Sequence, residues 1–212
     1  MKRTEDITLT ICIILTTLTA GTLRAQDTPT PTGGLTIGST TIGGSVSVGA
    51  RYSTLEKQTI GFLDGKAGIT IDGTWGFGLG FAGLYYDKTL SALVTDGTYH
   101  LTAGYSGIYV ERIFHMTDDL MGSVGILMGQ GTICYQYDKA FQKEKRWTDE
   151  VIDQTTFAVF EPAVSIQYRL GASFWMGITA SYRNTSPIRL LGTSESILRN
   201  GTAGLTARWD VF

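Results

Sequence analysis

"WGFGLGFAGLYY" occupies positions 75–86, and its alternation decides how the chain folds. Trp75, Phe77, Leu79, Phe81 and Tyr85 fall on one face of an extended strand, while Gly76, Gly78, Gly80 and Ala82 fall on the other. Strict period two is the mark of a strand whose two sides meet different surroundings. Here one side wants an apolar medium and the other leaves room for something bulky.

The pattern recurs at 44–53, 58–71, 98–114, 120–135, 155–170, 173–184 and 201–212, giving eight stretches in all. Val46, Val48, Ala50 and Tyr52 oppose Ser45, Ser47 and Arg51. Leu63, Ala67 and Ile69 oppose Asp64, Lys66 and Thr70, and Phe160, Val164, Ile166 and Tyr168 oppose Glu161, Ser165, Gln167 and Arg169. In 98–114 the phase places Tyr99, Leu101, Ala103 and Tyr105 on the apolar face, with His100, Thr102 and Ser106 on the polar one. Most stretches reach ten residues or more. A tilted strand crossing a bilayer needs about 9–11 residues, against about 5–6 for ordinary soluble strands.

The connections carry a second pattern. After a short loop near 54–57, a tight Asp72-Gly73 turn alternates with the long "DKTLSALVTDG", then "HMTDD" with "QYDKAFQKEKRWTDEVID", then "GA" with "TSPIRLLGTSESILRN". Short turns on one side and long loops on the other describe an up-and-down transmembrane barrel. Aromatics near the strand ends (Tyr52, Trp75, Tyr85, Tyr99, Tyr168, Tyr182, Trp209) suit interfacial girdles. The expected fold is therefore all-β, an eight-stranded antiparallel transmembrane barrel over 44–212. A soluble ligand-carrying barrel would put the apolar face inward, and strand length and loop asymmetry argue against it. The eighth stretch, "GTAGLTARWDVF", is expected to close the ring by pairing with the first, because lipid tolerates no open sheet edge.

Composition agrees. The 212 residues include 27 Gly and 4 Pro, only 17% are charged, and net charge is −2, which argues against nucleic acid as a partner. "MKRTEDITLTICIILTTLTAGTLRAQD" opens with Lys2 and Arg3, continues in the apolar run Ile7–Leu18 and ends in small residues. That run is too short for a transmembrane helix and fits an export signal over 1–25, with Ala20 as an alternative cleavage point. A Pro/Thr/Gly-rich linker is expected over 26–43. Without the leader, Cys134 is the one cysteine left, so no intramolecular disulfide and no cysteine-based metal cluster is expected, and no motif in the sequence calls for a cofactor.

"GYSGIYVERIF" (104–114), "FAVFEPAVSIQYRL" (157–170), "ITASYR" (178–183) and a terminal strand ending in Phe212 resemble a family of small bacterial outer-membrane β-barrel proteins of largely unassigned function. The resemblance covers 44–212. It implies export, insertion by the barrel-assembly machinery through the last strand, and no known catalytic role. In the usual insertion signal the last aromatic shares a face with apolar residues two and four positions earlier. Here Phe212 is in phase with Asp210 and Arg208 instead.

The polar face collects Arg51, Asp64, Lys66, Glu161, Arg169, Arg183, Arg208 and Asp210. An eight-stranded barrel is just wide enough for its side chains to fill, so these charges are expected to pair across a packed lumen. The inward glycines at 76, 78 and 80 leave room for long arginines. Glu111 and Arg112 are neighbours and cannot both point inward without a bulge. A narrow channel is the alternative. A lipid A-modifying hydrolase is a second one, built on His100 with Ser106 or Ser91 and Asp96 or Glu111, although nothing in the spacing brings these together. The third outer loop holds Lys139, Lys143, Lys145, Arg146 and Trp147, a candidate contact for lipopolysaccharide, though loops are polar by default. The fourth, with Ile188, Leu190, Leu191, Ile197 and Leu198, is too apolar for a solvated tip, and folding down over the mouth or binding something would account for it. The expected protein is a monomer in outer-membrane lipid.

Overall fold

The computed structural model describes residues 35–55, 58–87, 98–138, 151–190 and 193–211. They form β1 (Leu35–Ile37), β2 (Thr40–Leu55), β3 (Gln58–Ile71), β4 (Trp75–Asp87), β5 (Thr98–Thr117), β6 (Leu120–Asp138), β7 (Val151–Arg169), β8 (Phe174–Tyr182), β9 (Asn184–Thr185) and β10 (Gly201–Asp210). Each long strand pairs antiparallel with the next, and β2 pairs with both β3 and β10, so the sheet closes on itself. β1 folds back on the start of β2 as a small hairpin, with Gly38 at φ 65° in its turn. β9 continues the line of β8, leaving eight strands in the wall. Strand structure thus includes Leu35–Ile37 and resumes at Thr40, inside the stretch expected as a linker over 26–43.

Local chemistry sets the turns. In the three-residue connection between Ile71 and Trp75, Asp72 and Gly73 both take positive φ (51° and 60°), and the Thr74 N–H closes the turn on the Ile71 carbonyl at 3.0 Å. Asp72 then accepts a hydrogen bond from the Thr41 N–H through Oδ1 at 2.8 Å, tying this turn to β2. At the other end of the sheet, Pro162 interrupts a ladder. Ala163 faces Ser181 and Phe160 faces Asn184 in one register, yet Pro162 between them has no N–H to donate, and strand pairing lapses at Arg183.

Burial is inverted relative to a water-soluble barrel. Leu63 (72% exposed), Leu79 (66%), Val48, Ile108, Val164, Ile178 and Leu205 cover the outside, whereas Arg51, Glu111, Glu161, Arg183 and Arg208 are buried inside. Charged residues are almost never fully buried in soluble domains unless paired, and apolar surface on this scale marks contact with something other than water. Trp75, Tyr168 and Trp209 stand outward near the tight turns, and Tyr52 and Tyr182 stand outward near the loops, bracketing the belt with aromatics. The wall strands run from 9 to 20 residues, enough to cross a bilayer. The molecule is a transmembrane β-barrel.

One face assignment is reversed. Leu101, Ala103 and Tyr105 point inward and are buried, so Thr102 and Ser106 stand on the outer wall. The sequence pattern names two faces without saying which is inside, and this part of the lumen turns out to be apolar.

Because Leu79 faces lipid, Leu79→Arg should cost about 2–4 kcal/mol of folding stability in vesicles, near the value for a cation at mid-bilayer. On an aqueous surface the same change would be nearly neutral. Urea titration of the refolded protein in lipid distinguishes the two.

Candidate functional site

The side chains inside the barrel stack in layers. Nearest the tight turns, Ile113, Met121 and Trp175 form a small apolar floor, and the Trp175 indole N–H donates to Asp210 Oδ2 at 2.9 Å. From Asp210 an ionic chain climbs the wall. Arg208 reaches Asp210 Oδ1 through Nε (3.0 Å) and Glu111 Oε1 through Nη1 (2.9 Å), and Lys66 Nζ lies 3.4 Å from Glu111 Oε2. Glu111 therefore points inward. Arg112 points outward, its guanidinium 5.0 Å from the Trp75 ring centroid, and no bulge is needed there.

A second cluster sits above the first. Arg51 donates through Nε to Asp64 (2.8 Å) and through Nη1 to Glu161 and to Ser181 Oγ (2.8 Å). Glu161 also accepts from the Tyr105 hydroxyl and from Ser181, which itself sits 2.6 Å from Thr202 Oγ1. Both Glu161 oxygens are thus occupied. Pairing and hydrogen bonding of this kind offset the cost of taking charges out of water.

The glycines make the room, although for carboxylates more than for arginines. A Cβ on Gly49 would lie 2.6 Å from Asp64 Oδ1, and one on Gly76 would lie 2.7 Å from Glu111 Cγ. Between the two clusters, Lys66, Tyr109, Leu127 and Thr179 help line a cavity of about 30 Å³, room for about one water.

Above the second cluster the lumen becomes an apolar core. Leu55, Phe62, Leu84, Leu101, Ile133 and Phe157 of the wall meet Ile188, Leu190, Ile197 and Leu198 of the segment between β9 and β10. That segment folds down over the mouth. It is held by Arg183 Nε donating to the Leu198 carbonyl (2.8 Å), by Arg199 Nε donating to the Thr185 carbonyl (2.7 Å) and by the Ile188 N–H bonding the Glu195 carbonyl (3.0 Å).

Of the charges expected to share the lumen, the structure joins Arg51, Asp64 and Glu161 in one cluster and Lys66, Arg208 and Asp210 in the other. Arg169 and Arg183 also face inward without joining an ion pair among the described residues. Arg169 stacks 4.6 Å from the Trp175 centroid, and Arg183 lies 4.2 Å from that of Phe62. Glu111, Tyr105, Ser181 and Thr202 complete the clusters. The signal for Glu111 was its phase with Tyr105 and Tyr109, legible once that face is known to be the inner one.

The hydrolase constellation is not assembled from Ser106 and Glu111, which stand on opposite faces of β5. Ser91 and Asp96 lie outside the described residues, as do Lys139, Lys143, Lys145, Arg146 and Trp147 of the third loop, Leu191 of the fourth, Phe212, and the leader over 1–25. Among the described residues, no group of His, Cys, Asp and Glu is placed to hold a metal ion.

Removing Glu161 takes from Arg51 one of its two carboxylate partners, leaving Asp64, and strands the Tyr105 hydroxyl in the interior. Glu161→Ala should cost about 3–5 kcal/mol, the usual penalty for breaking a buried pair. Lys66 is a third exposed and its contact is long, so Lys66→Met should change stability by less than about 1 kcal/mol. Equal losses for both variants in urea unfolding would contradict this ranking.

The sequence matches no family model and no curated protein. Among solved structures the chain is similar to Ail, the attachment invasion locus protein of Yersinia pestis, at 11% identity and a TM-score of 0.45, over 80% of this chain and 97% of that one. It is also similar to neisserial surface protein A, at 8% identity and 0.49, over 79% and 96%. A third similar structure is the N-terminal barrel domain of Pseudomonas aeruginosa OprF, at 14% identity and 0.39, over 79% and 98%. At such identities the likeness is one of fold alone.

Proposed function

We propose that this chain is a non-conducting outer-membrane barrel that serves as a structural and surface-contact protein. The observation behind this reading is the filling of the lumen. Two ionic clusters and an apolar plug follow one another from the tight turns to the mouth, with a cavity of only about 30 Å³ between the clusters. A channel reading would require both clusters and the plug to part together. Side chains that fill the barrel in this way support the wall from within.

Contact with the outside then belongs to the loops. The third carries Lys139, Lys143, Lys145 and Arg146 with Trp147 beside them, a combination suited to the phosphates of lipopolysaccharide, where basic charge and an aromatic act together. Export through the leader 1–25, insertion by the barrel-assembly machinery and a monomeric state in lipid belong to the same reading.

In planar bilayers the refolded chain should show no stepwise conductance, and steady single-channel steps would rule out the sealed lumen. Reversing Lys143, Lys145 and Arg146 to Glu should weaken retention on lipopolysaccharide-containing vesicles several-fold and reduce its salt sensitivity. Unchanged retention would show that the loop is simply solvated.

A further inference from the structure

Arg183 is fully buried, and its bonding is incomplete. Nε donates to the Leu198 carbonyl, and the guanidinium lies over Phe62 and 5.8 Å from the Tyr105 centroid, but neither Nη1 nor Nη2 has a hydrogen-bond partner. The Thr185 hydroxyl, buried two residues on, also lacks one. Glu161 lies across the strand pair from Arg183, yet its oxygens are taken by Arg51, Tyr105 and Ser181. Arg51 and Arg183 balance Asp64 and Glu161 in charge, so the upper lumen is short of acceptor oxygens rather than of charge.

The surroundings of Arg183 are unusual for a barrel interior, which is ordinarily polar. Leu84, Leu101, Ala103, Ile133, Phe157 and Val159 make an apolar cup above it. The space in that cup is filled by aliphatic side chains from the covering segment. Buried polar groups without partners are rare, and each one calls for a cause. Here two donor groups sit at the base of an apolar cup closed by a hydrogen-bonded strap.

We propose that the outer half of the lumen is an occluded binding site for a single-chain fatty carboxylate, with Arg183 Nη1 and Nη2 as the head-group donors. Ile188, Leu190, Ile197 and Leu198 stand where the acyl chain would lie and are displaced when it enters. A planar guanidinium matches a carboxylate with two parallel bonds, the strongest acceptor arrangement open to it. The inference assumes the membrane barrel described above and does not depend on what the loops contact.

The test is native mass spectrometry of the full mature chain, refolded in nanodiscs and exposed to laurate, with heat-modifiable gel mobility reporting separately that each sample is a closed barrel. Wild type should retain one laurate. Arg183→Met should lose at least about tenfold in retention, the scale of a hydrogen bond to a charged group, while still shifting on the gel. Leu198→Ala leaves the wall strands untouched and lightens the strap, so it should bind more tightly than wild type and serves if Arg183→Met does not fold. Equal laurate retention by wild type and Arg183→Met would place the ligand on the lipid-facing wall and overturn the site. No retention by wild type and Leu198→Ala, both folded, would overturn it as well.

Discussion

Everything in this molecule depends on the pairing of β2 with β10. From Ser45 opposite Asp210 to Ser53 opposite Thr202, the early and late parts of the chain exchange backbone hydrogen bonds. Without that seam the sheet would have two edges in hydrocarbon, each exposing N–H and C=O groups with no water to bind them. Closure also fixes the diameter, and the diameter fixes what the inside can be. A ring of eight strands brings opposite walls close enough for Arg51 of β2 to reach Glu161 of β7, and for Arg208 of β10 to reach Glu111 of β5.

The ionic clusters are better understood as a consequence of closure than as its source. Burying charges is expensive, and a well-paired set often contributes little more than an apolar packing of the same volume. What pairing contributes here is discrimination. With Asp64 given space by Gly49 and Glu111 given space by Gly76, each carboxylate meets its own cation. A strand slipped by one residue would turn Arg51 and Arg208 into the lipid and Val48 and Leu205 into the lumen.

The wall was legible in the sequence because period two and loop alternation are local signals. Trp75 to Phe81 shows its outer face by side-chain size alone, as do Val46 to Tyr52 and Ala203 to Trp209. β5 shows where that logic ends. Leu101, Ala103 and Tyr105 looked like a lipid-facing row, but they line an apolar cup, because hydrophobicity says that a side chain avoids water and not which dry place it occupies. The inward turn of Glu111 was hidden for the same reason. The charged residues of the lumen could be named from alternation, whereas their partners could not, since a pair such as Arg208 and Glu111 lies 97 positions apart in the chain. The covering segment announced itself through its aliphatic content, yet its seating depends on Arg183 and Arg199 reaching the Leu198 and Thr185 carbonyls, contacts that no spacing rule contains.

Pro162 gives the barrel a direction of weakness. β7 is 19 residues long and β8 only 9, and the missing proline donor falls near the top of their shared ladder. Beyond it, among the described residues, the line is carried by the two residues of β9 and by a reciprocal pair of bonds, from the Ser186 N–H to the Ala158 carbonyl and from the Ala158 N–H to Ser186 Oγ. A cylinder held by equal seams would breathe evenly, whereas this one is expected to part first along β7 and β8, where amide protons should exchange soonest. The strap over the mouth is rooted at that same seam, so the wall's most easily opened line and the lumen's cover share a hinge.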